Sequence, residues 1–255
     1  MDLNGYFDPV SLERPEFEYL DNNESFSHHI SVHTPDHPIR ELDKHQVAIL
    51  GVPVDSNGFI KGSKDAPNQI RSKLYQLSKI NRSLNIYDLG NVKNGGSIND
   101  TYFALRDILL ELREREITTV IFGGSQDLSR GVFLALEKYE GLHQVLSIDS
   151  MLDFSQKEDL LNSRNYLNQI VHNTGVKQFS LTNLGHQACF VSENQLRQLD
   201  KSYLESIRLG EARKEIKQAE PLIRDSEFIS IDMGAVRHAD APGASLPSPN
   251  GFFGD

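Results

Sequence analysis

Short apolar runs alternate along the chain with amphipathic segments, and this alternation is the pattern of β-strands connected by helices. Most of the runs are apolar at consecutive positions instead of at every second one, which is typical of parallel strands buried on both faces. Each run is short and ends in glycine or in polar residues. The runs predicted to be strands are residues 45–53, 85–92, 118–124, 144–149, 177–185 and 227–232.

Helical periodicity fills the segments between these runs. Pro67 suits the first turn of a helix, and Ile70, Leu74 and Leu77 then mark its predicted inner face. Phe103 is among the apolar positions of a second, longer helix. Helices are predicted at residues 66–77, 101–116, 128–137 and 166–173. A further helix with a charged, solvated face is predicted at residues 211–220.

The alternation of strands and helices predicts a three-layer α/β/α sandwich with a central, mostly parallel sheet. This domain is predicted to span residues 45–255. Residues 1–44 contain several prolines and no sustained periodicity, so they are interpreted as an N-terminal arm that either wraps the surface or serves an oligomer.

Polar and glycine residues follow the predicted central strands. Gly123 and Gly124 follow one strand, Asp149 and then Asp153 follow the next, and Asp232 follows the last. Since ligands of open α/β sheets bind at the carboxyl ends of the strands, these residues are expected to converge there. Converging carboxylates suit a hard divalent cation. The alternative is that the same carboxylates cap helices or pair with arginines.

Composition narrows the possible partners. The chain has 255 residues and a formal net charge of −10, which argues against nucleic acid or an anionic membrane as a partner. No apolar stretch is long enough to span a bilayer. The single cysteine, Cys189, excludes an intrachain disulfide, fits a cytoplasmic location and is expected to be a buried side chain.

Several short motifs occur in an order that resembles the ureohydrolase superfamily, which comprises arginase, agmatinase and formimidoylglutamase. The resemblance covers residues from about 45 to the end and is nearest to the formimidoylglutamase-like branch. The motifs are Gly51-Val52-Pro53, Ala66-Pro67 with Ile70-Arg71, Gly123-Gly124, Asp149 to Asp153, Ser230-Ile231-Asp232, and Pro242-Gly243.

The resemblance implies an arginase-type fold and a pair of Mn²⁺ ions bridged by a hydroxide. In the family this hydroxide attacks the planar carbon of a guanidinium or formimino group and releases urea or formamide, because two cations lower the pKa of the bridging water. It also implies a small amidine or guanidine substrate, a homo-oligomer, and a chain that continues through a further strand and helix.

This chain departs from the family pattern at the metal ligands. Gln126, with Asp127 next to it, stands where the family has a histidine, and Met151 replaces a second histidine. Gly234 replaces a bridging aspartate. A thioether, a neutral amide and a glycine are poor substitutes for Mn²⁺ ligands. Asp127, His238 and Asp240 are the neighbouring residues that could act as replacement ligands.

Three carboxylates of the pattern are retained, those of Asp149, Asp153 and Asp232. Arg237 and His238 stand where the family has Asp-Pro, and they add positive charge to the expected site. If no metal binds, Arg237 is expected to pair with one of the three carboxylates.

Two functions from different classes therefore stay open. The first is a Mn²⁺-dependent hydrolase of linear amidines or guanidines, with formimidoylglutamate favoured as substrate. The second is an inactive homologue that has lost the metal and serves as a binding or oligomeric scaffold. The count of replaced ligands favours the second.

Overall fold

The computed structural model describes residues 1–11, 24–79, 84–154, 160–168, 179–199 and 204–254. The chain divides into two compact units, Met1–Ala135 and Leu136–Asp255. Each unit contains a mostly parallel sheet flanked by helices, so the predicted α/β class is confirmed. Most of the helix predicted at residues 166–173 lies outside the described residues.

The sheet of the first unit has the order β1-β4-β3-β5, with β2 also paired to β4. All pairings are parallel except that of β1 with β4. Since β1 and β2 come from the first 44 residues, the predicted arm adds two short strands to the sheet. The strands are β1 Phe7–Asp8, β2 Ser31–Val32, β3 Val47–Val52, β4 Ile86–Val92 and β5 Thr118–Gly123.

The helices of this region are α1 Ala66–Leu74, α2 Ile98–Glu114 and α3 Ser129–Leu136. Helix α2 begins at a capping box, in which Asp100 accepts the Ser97 N–H at 2.8 Å and Ser97 accepts the Asp100 N–H at 3.3 Å. Phe103 is 46% exposed and packs under the Arg106 guanidinium, so this apolar position lies on the outer side of the helix. The buried positions recur at helical spacing: Tyr102, Leu105, Ile108 and Leu112.

Helix α1 faces the core through a charged residue. Arg71 is fully buried, and its Nε and Nη2 donate to the Asp88 carboxylate of β4 at 2.8 and 2.9 Å. Its Nη1 donates to Asn91 Oδ1 at 2.5 Å. Ile70 and Leu77 are 39% and 58% exposed, which corrects the predicted inner face. The helix ends at Leu74, so Leu77 no longer follows helical geometry.

The sheet of the second unit is entirely parallel, with the order β8-β7-β6-β9. One face is apolar and packs on two short helices, with Leu146 and Leu184 against Ala212 and Ala219. The charged helix predicted at 211–220 is divided between these two helices, Leu209–Lys214 and Ala219–Asp225. The elements are β6 His143–Ile148, β7 Phe179–His186, β8 Leu204–Arg208, β9 Phe228–Ile231, α4 Glu193–Leu199, α5 Leu209–Lys214 and α6 Ala219–Asp225.

Helix α4 begins at the side chains of Ser192 and Gln195. Gln195 Oε1 accepts the Ser192 N–H at 2.9 Å, and Ser192 Oγ accepts the Gln195 N–H at 3.3 Å. Cys189, just before this helix, is exposed, which corrects its expected burial. Within the described residues, the helices are too short or too polar to cross a membrane.

Candidate functional site

Two aspartates meet at the carboxyl edge of the second sheet. Strands β6 and β9 are parallel neighbours with Ile148 opposite Ile231 in register. The next residue on each strand is an aspartate, Asp149 or Asp232, and the Asp232 N–H donates to the Ile148 carbonyl at 3.0 Å. Asp153 lies close enough to Asp149 for their side chains to share a hydrogen bond. These three residues are called the carboxylate cluster below.

Backbone N–H groups hold two members of the cluster in place. Asp149 Oδ1 accepts the Met151 N–H at 2.8 Å, and Asp232 Oδ1 accepts the Gly234 N–H at 2.5 Å. Met151 and Gly234 therefore line the site through their main chains. Asp153 has a φ of 49°, in the left-handed region that non-glycine residues seldom adopt. The chain thus turns sharply where it places the third carboxylate.

The cluster concentrates negative charge in a buried place. Asp149 and Asp153 are only 4% and 6% exposed. Burial raises the pKa of Asp153 well above its usual range. The charge and hydrogen bond of Asp149, and then the charge of Asp232, raise this pKa further, whereas the charge of Arg164 lowers it. Burial also raises the pKa of Asp232, opposed by the Gly234 N–H. A cationic partner would relieve this crowding.

Two residues beside the cluster carry no motif and were not anticipated from the sequence. Tyr166 is fully buried, and burial, then the charges of Asp153 and Asp149, raise its pKa. Asn183 Nδ2 donates to the Met151 carbonyl at 2.9 Å and so fixes the loop after β6. The signal in the sequence that could have identified Asn183 was a polar amide within a predicted buried strand.

In the first unit, the glycine turn after β5 allows a close approach of two backbones. A Cβ on Gly124 would collide with the Val54 carbonyl, and the Ser125 N–H donates to the same carbonyl at 3.0 Å. Gly124 therefore permits a close approach of two backbone segments. A Cβ on Gly123 would meet no atom within 4 Å.

Asp127 points into the interior of the first unit. Its side chain is fully buried and accepts the Tyr102 hydroxyl at 2.5 Å, while Asn57 Nδ2 donates to that hydroxyl at 3.0 Å. Burial raises the pKa of Asp127, whereas hydrogen bonds from Ser125 and Tyr102 lower it. Gln126 begins the 3-10 turn Gln126–Leu128 and is half-buried. A ligand role for Gln126 and Asp127 stays a prediction.

Arg237 pairs with Asp240, a partner that the sequence analysis did not predict. Its Nε and Nη2 donate to Asp240 at 2.5 and 3.1 Å, and its guanidinium lies 4.4 Å from the centre of the Phe253 ring. Sequence neighbours at a spacing of three residues pair readily, and Asp240 takes the guanidinium for this reason. His238 is exposed.

The residues at the site differ from the ligand set that the resemblance implies for two manganese ions. Across the described ranges, no group of three or more His, Cys, Asp or Glu residues is arranged to hold a metal ion. The cluster offers only carboxylate oxygens, and Asp149 and Asp232 each already accept a backbone N–H. Gln126 and Met151 supply no imidazole where the resemblance calls for one.

Comparison with known proteins identifies similar chains. A model of the arginase family matches residues 45–254. The formimidoylglutamase of Staphylococcus epidermidis is 26% identical over 233 residues, covering 83% of this chain and 72% of the relative. The solved formimidoylglutamase of Bacillus subtilis has a TM-score of 0.78 at 20% identity, covering 95% of this chain and 80% of that one. Trypanosoma cruzi formiminoglutamase, solved with Mn²⁺, has a TM-score of 0.76 at 20% identity, covering 84% of this chain and 79% of that one.

Proposed function

Because the chain belongs to the arginase family, we propose that it binds a small cationic amidine or guanidine directly at the carboxylate cluster, without a two-manganese hydrolytic centre. Formimidoylglutamate is the favoured ligand, since formimidoylglutamases are among the curated proteins that this chain resembles. In this proposal the protonated amidine takes the place of the metal ions as the positive partner.

The observation that carries the proposal is the buried pair of Asp149 and Asp153. Their side chains lie within hydrogen-bonding reach, and the pKa of Asp153 is raised by burial and by Asp149. An amidinium presents planar N–H donors and a positive charge, and charge-assisted bonds of this kind to carboxylates are strong and directional. Asp232 is partly exposed, so solvent reaches the cluster on its side.

The replaced ligands support binding without metal-assisted hydrolysis. In the two-metal chemistry of the family, the cations lower the pKa of the bridging water and hold it against the substrate carbon. A neutral Gln126, a thioether at Met151 and no side chain at Gly234 make a weaker ligand set for Mn²⁺.

Isothermal titration calorimetry on metal-free protein in EDTA tests the proposal, with formamidinium and formimidoylglutamate as ligands. We expect both to bind the wild type and to bind Asp153→Asn roughly tenfold or more weakly, because one partner of a buried charge pair is lost. Asp225→Asn is the matched control, since Asp225 lies on the surface in an ion pair with Arg224. Equal affinities for wild type and Asp153→Asn would contradict the proposal.

A second candidate is Mn²⁺-dependent hydrolysis of formimidoylglutamate, which the names of the relatives favour. It requires metal ligands beyond the carboxylate cluster. Formamide release that appears with Mn²⁺ and stops with EDTA would support this candidate, and its absence at saturating ligand would support binding alone.

A further inference from the structure

Two polar side chains end adjacent strands of the second sheet, beside the carboxylate cluster. His186 is the last residue of β7, Arg208 is the last residue of β8, and the two are direct partners in the parallel register. Directly paired residues project to the same face of a sheet. The Gln187 N–H donates to the Ser150 carbonyl at 2.9 Å, which ties this strand end to the loop after Asp149.

A β-bulge sets the direction of His186. The register shifts between Leu184 and His186, and the intervening Gly185 has a φ of 107°. A Cβ on Gly185 would lie 2.5 Å from the Phe252 ring, so the bulge requires glycine. Bulges beside active sites commonly redirect a side chain, and here the bulge brings His186 opposite Arg208.

The His186 imidazole is buried, and its Nδ1 has no hydrogen-bond partner among the described residues. The side chain is 4% exposed, and Nδ1 is a buried nitrogen that no described residue contacts through a hydrogen bond. Burial and then the charge of Arg208 lower the pKa of His186, whereas the charge of Glu211 raises it. A neutral ring has one N–H, and the tautomer that carries it on Nδ1 has a buried donor without an acceptor. The Nδ1–H is then available to a ligand.

The Arg208 guanidinium is exposed, and no residue in the described part of the chain forms an ion pair with it. Two other arginines of this unit differ in this respect. Arg197 pairs with Glu193 at 2.7 Å, and Arg224 pairs with Glu220 at 2.9 Å. An unpaired cation next to an unsatisfied imidazole offers two donors with no acceptor.

We propose that Arg208 and His186 form a binding site for the carboxylate group of a small ligand. A guanidinium presents parallel N–H donors that match a carboxylate, and the imidazole supplies a third N–H. Neighbouring strands lie about 4.8 Å apart, so a ligand of a few carbon atoms spans the distance to Asp149. That the same ligand carries an amidine at the carboxylate cluster rests on the proposed function, whereas the carboxylate site does not.

Imidazole NMR spectra of histidine-labelled protein test the site, with L-glutamate as the probe. The His186 resonance is assigned by its loss in His186→Gln. We expect L-glutamate to shift this resonance in the wild type, and Arg208→Gln to weaken the affinity roughly tenfold or more. Glu211→Gln removes a nearby negative charge and is expected to tighten binding a few-fold. Arg224→Gln is the matched control and is expected to bind like the wild type.

Two results would overturn the site. One is a His186 resonance that stays fixed throughout the L-glutamate titration, and the other is equal affinity in Arg208→Gln and wild type. Arg208→Lys covers the case in which Arg208→Gln fails to fold, and it is expected to weaken binding because lysine lacks the planar fork. Formamidinium, which has no carboxylate, should bind Arg208→Gln and wild type equally, so failure of the carboxylate site and failure of the proposed function give different results.

Discussion

At the scale of single residues, Asp153 is expected to contribute to the pH dependence of the second unit. Its pKa in the folded protein lies above the usual value of 3.8, because of burial and the neighbouring carboxylates. Below pH 3.8 the group is protonated in both states and has no effect on the free energy of unfolding. As the pH rises above this value the unfolded chain loses its proton first, so the folded state becomes progressively less stable until its own pKa is passed.

Asp153→Asn is therefore expected to raise the stability of the metal-free protein at neutral pH. The gain should be on the order of 1 kcal/mol or more, since each pKa unit corresponds to about 1.4 kcal/mol. Urea unfolding between pH 4 and 8 in EDTA measures it, with Asp225→Asn as the control. A variant that is less stable than wild type at pH 7 would show that Asp153 has a compensating partner in the metal-free protein.

At the scale of elements, helix α1 is fixed to strand β4 by the buried pair of Arg71 and Asp88. The Asp88 carboxylate also accepts the Tyr75 hydroxyl at 2.9 Å, and Arg71 donates to the Gly90 carbonyl at 2.8 Å. All of these groups are satisfied inside the first unit. Removing one partner would leave a buried charge without compensation.

Arg71→Met is expected to destabilise the protein by about 3–5 kcal/mol. Arg106→Met is the matched control, because Arg106 lies near the surface and pairs with the adjacent Asp107; it should cost about 1 kcal/mol or less. Urea unfolding followed by circular dichroism measures both. A loss below about 1 kcal/mol for Arg71→Met would mean that Asp88 finds another partner.

The sequence predicts strands with continuous apolar runs better than strands that are short or mix charged and apolar residues. Strands β3, β5, β6 and β9 occur where apolar runs end in glycine or aspartate. Strand β8 was not predicted, because Leu204–Arg208 mixes charged and apolar residues and is a strand only through its pairing with β7. Strands β1 and β2 have two residues each, too few for a period, and depend on β4 for their conformation.

The directions of side chains could not be predicted from the sequence either. The order of strands places Asp149 and Asp232 together at the sheet edge, and this follows from a general property of parallel sheets. Whether Arg237 turns to that edge or to Asp240 depends on local loop geometry. The same holds for His186, which only the bulge at Gly185 turns towards Arg208.

At the scale of the whole molecule, the two units share one architecture, a mostly parallel sheet with flanking helices, and the family match spans most of both. The carboxylate cluster and the proposed carboxylate site both belong to the second unit. Neighbouring sites of opposite charge suit a ligand with a cationic and an anionic end. In this account the protein keeps the fold of a hydrolase family and recognises its ligand through charge alone.

The most direct test of this account is the manganese content of the purified protein by elemental mass spectrometry, after dialysis first against Mn²⁺ and then against metal-free buffer. We expect near-zero manganese in protein that still binds formamidinium by calorimetry. About two equivalents of manganese per chain, with release of formamide from formimidoylglutamate, would contradict it and establish the two-metal chemistry of the family.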